Sequence, residues 1–145
     1  MREIKFRVWD KTTRRMYAVM SITLNAVNGN IRKVGLIRIG ENGRLDKRQK
    51  FYRQVGEVGL MQYTGLKDKN GREIYEGDIL QDDLFSSRDV VKFGEYWETP
   101  EGGAYGWYKK SANHHDLVSS LITGIAVSEV IGNIYENPEL LNDNA

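Results

Sequence analysis

The chain has no cysteine, two histidines and two prolines among its 145 residues. Without cysteine there can be no disulfide staple and no thiolate zinc site. No apolar run approaches the roughly 18 residues that suggest a membrane helix. The opening residues, M-R-E-I-K-F-R-V-W-D, are charged throughout and have no signal-peptide apolar core. A soluble, cytoplasmic protein is expected, with no membrane partner. There is no repeat, no low-complexity tract, no nucleophile–base pair and no phosphate loop. No catalytic residue, metal or cofactor is therefore expected, and the chain reads as a non-enzyme.

What is present favours β structure. Glycine is frequent, and Tyr, Val and Ile are abundant. The length suits one domain or two small ones. Net charge is only +1, but the charges are segregated. Residues 1–55 hold fourteen Lys/Arg against four Asp/Glu, and residues 56–145 hold seven against sixteen, so +10 faces −9. Such asymmetry suits either a polyanion partner or basic and acidic surfaces that meet each other.

Ile4, Phe6 and Val8 alternate with charged residues or tryptophan, which predicts a strand with one buried face. Met16–Leu24 returns as its hairpin partner. Ile31–Ile39 reads as a strand whose phase shifts at Leu36-Ile37, suggesting a bulge or two-sided burial. Asn28-Gly29, Asn42-Gly43 and Asn70-Gly71 are turn signals, of a kind that favours type I′ geometry. Arg44–Arg53 suits a short helix and an edge strand equally. Gly56 and Gly59 bracket a linker. Leu60–Tyr63, Ile74–Tyr75 and Ile79–Leu80 are strands, and Val90–Trp97 pairs with Tyr105–Tyr108 as a hairpin. His114–Ile122 suits one or two helical turns, with Asp116 as N-cap. Ile125–Tyr135 is the last strand region. Asn137-Pro138-Glu139 opens a short terminal helix with Asn as its cap.

Arg44, Lys47, Arg48, Lys50 and Arg53, with Phe51 and Tyr52 among them, form the main candidate surface. Cations neutralise phosphates and aromatics stack on unpaired bases. The competing reading is a solvated face, or a surface that meets the acidic part of another copy. Tyr96, Trp97 and Trp107, with Tyr105 and Tyr108, suit either an aromatic ligand surface or cross-strand packing. The same choice applies to Tyr63 and Tyr75. His114-His115-Asp116 lacks the ligand number of a zinc site. Asp82-Asp83, Glu76 and Asp78 lack calcium-loop spacing, and Asp78 suits a bond to its own turn. Glu98 and Glu101 flank a hairpin tip. Lys67–Gly71 is turn chemistry.

Three motifs carry a family resemblance. They are I-K-F-R-V-W-D at residues 4–10 followed by Met16, L-M-Q-Y-T-G-L-K-D-K-N-G-R-E-I-Y-E-G-D-I-L at 60–80, and V-I-G-N-I-Y-E-N-P-E-L-L at 130–141. Together they resemble the YopX-like family of small proteins encoded by bacteriophages and prophages. The resemblance implies an SH3-like small β-barrel in the C-terminal part, a less regular N-terminal region and a tendency to homo-oligomers. It implies no activity. The expectation is a mainly β protein with a basic β-rich region at 1–58 and a barrel at 59–145. It would act as a homo-oligomeric binding or assembly module, or alternatively as a nucleic-acid-binding protein.

Overall fold

The computed structural model describes residues 2–113 and 117–142. Among them every regular element is a β-strand or a 3-10 turn, and the chain divides into two units, residues 5–62 and residues 63–142 together with the N-terminal residues before Lys5.

The first unit is an antiparallel sheet. Its strands are β1 (Phe6–Asp10), β2 (Arg15–Leu24), β3 (Ile31–Ile39), β4 (Leu45–Gln54) and β5 (Val58–Lys67), in the order β4-β3-β2-β1-β5. Alternation puts Val8, Tyr17, Val34, Leu36 and Val58 into one buried cluster, with Phe51 and Leu60 packed against it. Tyr17 and Phe51 meet edge to face, with ring centroids 5.1 Å apart. Ile37 is buried on the opposite face from Leu36 and the β3–β4 register slips beside it, so both readings of that phase shift hold. The segment 44–53 is the edge strand, not the helix. Gly59 is not part of a linker: it pairs with Trp9 inside β5, after a 3-10 turn at Val55–Glu57.

The three Asn-Gly turns are not type I′. Only Gly29, Gly43 and Gly71 have positive φ, at 73°, 75° and 81°, while their asparagines do not. Each loop is longer than two residues, and longer hairpin loops place a single left-handed residue after a type I turn. Side chains set those lengths. Asn25 Oδ1 accepts the Val27 N–H at 2.8 Å, and Asn42 Oδ1 accepts the Arg44 N–H at 3.0 Å.

In the second unit the end of β5 pairs with β6 (Glu73–Tyr75). Strands β7 (Asp78–Asp82), β8 (Arg88–Thr99), β9 (Gly102–Ser111), β10 (Val118–Ser120) and β11 (Ser128–Asn133) form a five-stranded sheet in the order β10-β9-β8-β7-β11. Its core is Ile74, Leu80, Val91, Leu121 and Val130, flanked by Trp107. The expected SH3-like barrel is corrected to an open sheet. Among the described residues no ladder joins β10 to β11. β10 is three residues long, and β7 meets β8 over only three pairs before β8 and β9 run on alone. A barrel closes only when every strand keeps two neighbours in one shear register.

The expected helix at 114–122 is also corrected over its described part, since Val118–Ser120 pairs with Tyr108–Lys110 as a strand, while the expected cap at Asp116 lies outside the described residues. The terminal turn, Pro138–Leu141, is 3-10, and Asn137 makes no side-chain cap to it. Its Oδ1 instead accepts the Asn133 N–H at 3.2 Å. A Cβ on Gly132 would stand 2.5 Å from that oxygen, which explains the glycine.

Two buried carboxylates pin these units. Asp10, fully buried, accepts Arg53 Nε at 2.9 Å and Nη2 at 3.3 Å, Thr13 Oγ1 at 2.7 Å, and the Thr13 and Thr12 amides. Asp68 accepts the Asn70, Arg72 and Val130 amides, each at 2.9 Å, tying the β5–β6 turn to β11. Burial alone pushes both carboxyls up. At Asp10 the bonds from Arg53 and Thr13, and at Asp68 those from Val130, Arg72 and Asn70, outweigh it and hold both below the ordinary range.

Asp68→Ala should cost about 3 kcal/mol, because it orphans three amides, one of them buried. Thermal unfolding measures this. Asp10→Ala should cost a similar ~3 kcal/mol by leaving the Arg53 guanidinium without its partner. A depressed folded-state pKa gives stability that is complete above the unfolded value of about 3.9 and is lost as pH falls through the lower folded value. Urea unfolding should therefore show stability falling below about pH 4, with a shallower fall in Asp10→Asn. An equal slope in that variant would remove Asp10 from the account.

Candidate functional site

Strand β4 is the outermost strand of its sheet, so the five cations expected to act together stand at an edge. The pairs Leu36↔Phe51 and Val34↔Arg53 turn Phe51 and Arg53 towards the core face, and Gly35↔Tyr52 and Ile37↔Lys50 turn Tyr52 and Lys50 the other way. Arg53 is drawn to Asp10, with its guanidinium carbon 4.7 Å from the centre of the Phe51 ring. Arg44, Lys47, Arg48 and Lys50 are exposed.

The register jumps from Ile37↔Lys50 to Arg38↔Asp46, so Lys47, Arg48 and Gln49 stand in a bulge with no partner on β3. Asp46 forms it. Its Oδ1 accepts the Arg48 N–H at 3.0 Å, its Oδ2 accepts Gln49 Nε2 at 3.1 Å, and Arg38 Nη1 donates to Gln49 Oε1 at 2.9 Å. A bulge carrying lysine and arginine discourages another strand from adding to an edge. What β4 offers is charge, with one aromatic beside it. Tyr52 is 56% exposed, and Lys33 Nζ lies 4.9 Å from its ring centre.

The second surface is an arm. β8 and β9 pair from Asp89↔Ser111 to Thr99↔Gly102, but β7 reaches only to Val90 and β10 only to Tyr108. Beyond these the hairpin is two-stranded. Its aromatics divide by parity. Phe93, Trp97, Tyr105 and Trp107 share one face, and Tyr96 and Tyr108 share the other. The expected surface of Tyr96, Trp97 and Trp107 is thus divided between two faces. Phe93 lies 4.8 Å from Trp107 and 5.3 Å from Tyr105 by ring centres, and Tyr96 stacks on Tyr108 at 5.1 Å. Trp107 reaches the core, whereas Phe93, Trp97 and Tyr105 are about half to three-quarters exposed, at 49%, 55% and 74%. Trp97, Tyr105 and Glu95 border a shallow hollow of about 340 Å³ over Gly103 and Ala104. Phe93 is the residue that sequence reading missed. Its parity with Trp97 was the available signal.

The remaining candidates are structural. Tyr63 and Tyr75 face each other as a cross-strand pair, with centroids 5.5 Å apart. Asp78 accepts the Tyr75 N–H at 2.8 Å within its own turn. Asp82 Oδ1 accepts the Leu84 and Phe85 amides, and Asp83 pairs with Lys69 at 2.8 Å. Glu98 accepts the Ser120 amide. His114, His115 and Asp116 lie outside the described residues. Among the described residues no three His, Asp or Glu side chains gather as metal ligands, and no helix is long and apolar enough to cross a membrane.

A family model described as YopX protein matches residues 5–142. A crystal structure of protein EF1440 from Enterococcus faecalis is similar, with 28% identity and a TM-score of 0.59 over 98% of this chain and 100% of that one. No curated protein matches.

The Trp97 ring lies where Gly103 leaves room, since a Cβ there would stand 2.9 Å from the indole. Gly103→Ala should push the exposed indole aside and cost less than about 1 kcal/mol. Tryptophan fluorescence should shift while the melting temperature barely moves. A large loss of stability would mean that the indole holds the arm together.

Proposed function

The chain belongs to the YopX protein family, and from that footing we propose that it is a non-enzymatic, phage- or prophage-derived assembly module of the cytoplasm that works as a homo-oligomer. The aromatic, acidic arm of one copy docks on the bulged basic strand β4 of another. One observation carries this reading: the same chain exposes two complementary surfaces. Lys47, Arg48 and Lys50 are exposed on β4 with Arg44 just before it, and Glu95 and Glu101 are exposed on the same hairpin as Trp97 and Tyr105. The charge balance extends beyond these residues. Residues 5–62 carry thirteen Lys/Arg against four Asp/Glu, and residues 63–142 carry seven against fourteen.

The physics sets the strength. An exposed ion pair contributes at most about 1 kcal/mol. Cations over Trp97 and Tyr105 contribute about 0.5–1 kcal/mol each at exposed sites. The contact is therefore weak, built from several such terms, and sensitive to salt. Two different surfaces in contact give either a reciprocal twofold dimer, in which the arm-to-β4 contact forms twice, or a head-to-tail ring or filament.

A second reading has its own observation. Tyr52 is exposed among the β4 cations, a combination that suits stacking on an unpaired base with phosphates neutralised alongside.

Mass in solution should fall from oligomer to monomer on raising salt from low to about five times physiological ionic strength. Lys47→Glu/Arg48→Glu/Lys50→Glu should be monomeric throughout, and mixing it with Glu95→Lys/Glu101→Lys should restore association. Mass unchanged by salt or by these substitutions would overturn the assembly reading. A monomer that binds single-stranded nucleic acid with a steep salt dependence would establish the second reading instead.

A further inference from the structure

The second unit buries another polar cluster, on the core side of its own sheet at the base of the exposed arm. Asp89, Lys109 and Ser111 are 8%, 8% and 7% exposed. With Asp82, Ser87 and Ser119 they line a concavity of about 240 Å³, closed on the apolar side by Leu117 and Val118. The ladder explains the convergence. Asp89↔Ser111 is the last pair between β8 and β9, and Ser119↔Lys109 joins β10 to the same end.

The carboxylates buried in this chain are not treated alike. Asp10 and Asp68 are filled with donors. Asp89 accepts no hydrogen bond among the described residues. Its nearest cation, Lys109 Nζ, is 3.9 Å away, and that ammonium donates instead to the Thr123 carbonyl at 2.7 Å. An ion pair in the same unit, Lys69–Asp83, closes to 2.8 Å where nothing prevents it. Burial pushes the Asp89 carboxyl up, Lys109 opposes this and Asp82 adds to it. A buried carboxylate that accepts no hydrogen bond among the described residues and meets its counter-ion only at 3.9 Å is incompletely satisfied, and such sites gather where ligands bind.

We infer that this concavity is a binding site for a small organic ammonium ion bearing a hydroxyl group. Asp89 and the open oxygen of Asp82 receive the ammonium, and the Ser87 and Ser119 hydroxyls meet the ligand hydroxyl. Among the described residues the lining carries two carboxylates against one ammonium, a balance that favours a ligand with a single positive charge. A compact metal ion fits less well, because no third metal ligand joins the two carboxylates among the described residues. The inference is independent of the assembly reading, since none of its residues belongs to β4 or to the exposed part of the arm.

The probe is ethanolamine, protonated at neutral pH, with inorganic phosphate, glycerol and equimolar sodium chloride as comparisons. Ethanolamine should raise the melting temperature of the whole chain saturably, beyond any of the three. Asp89→Asn should stay folded, because the carboxylate accepts no hydrogen bond among the described residues and Lys109 keeps its bond to the Thr123 carbonyl, and should weaken ethanolamine binding at least tenfold. Ser119→Leu should fill the concavity and abolish the shift. Four results would overturn the inference: no shift with ethanolamine, an equal shift with phosphate or sodium chloride, full binding by either variant, or collapse of Asp89→Asn, which would make the carboxylate structural.

Discussion

The contact between Asp10 and Arg53 decides how the first unit presents itself. It joins residues 43 positions apart, tying the start of the chain to its outermost strand. Burying an aliphatic side chain such as Leu36 contributes roughly 1.5–3 kcal/mol, and removing one member of a buried ion pair costs at least as much. Breaking the pair is therefore about as costly as truncating a core side chain, although its net contribution is smaller because burying the Asp10 carboxylate costs desolvation. It also fixes the strand on which Arg44, Lys47, Arg48 and Lys50 stand. Arg53 is the cation of that run that does not face outward, and because it is held inward the other four are presented at an ordered edge.

The second unit solves a similar problem mainly with backbone amides, Arg72 adding a smaller electrostatic share. Asp68 gathers three amides from its turn and from β11, so the β5–β6 hairpin and the last strand share one acceptor. Above that anchored base, β8 and β9 run on past the ladders of their neighbours, and Glu98 near the tip reaches back to the Ser120 amide of β10. A lone hairpin is marginal in water. Here the paired rings on both faces, Phe93 with Tyr105 and Trp107, and Tyr96 with Tyr108, supply the missing stability. Packing within the arm and docking by the arm are thus compatible. Trp107 and Tyr108 belong to the first, and the outward faces of Trp97 and Tyr105 remain for the second.

Much of this was legible in local pattern. Period-two alternation around Val8 and Val34 marked strands, and glycines after asparagine marked turns, because both signals act over a few residues. The turn type was not legible, since Asn25 and Asn42 lengthen their loops through side-chain bonds. The segment 44–53 stayed ambiguous because its bulge interrupts alternation between Leu45 and Phe51, and only pairing with β3 reveals the phase. The role of Arg53 was hidden by the distance to Asp10. The resemblance implied a closed barrel, but closure depends on register among all strands, which no single segment encodes. Tyr96 beside Trp97 could have been resolved, since adjacent strand residues point to opposite faces.

The absence of cysteine makes the central claim open to a direct test. Leu45→Cys marks β4 and Thr99→Cys marks the arm tip, each leaving the four exposed β4 cations and the glutamates of the arm intact, and neither can form a disulfide with a native residue. When the two variants are mixed at low salt under mild oxidation, the account predicts a disulfide between a β4-marked copy and an arm-marked copy, suppressed at high salt. Cross-links only between identical marks, or none above the level of random collision, would contradict it.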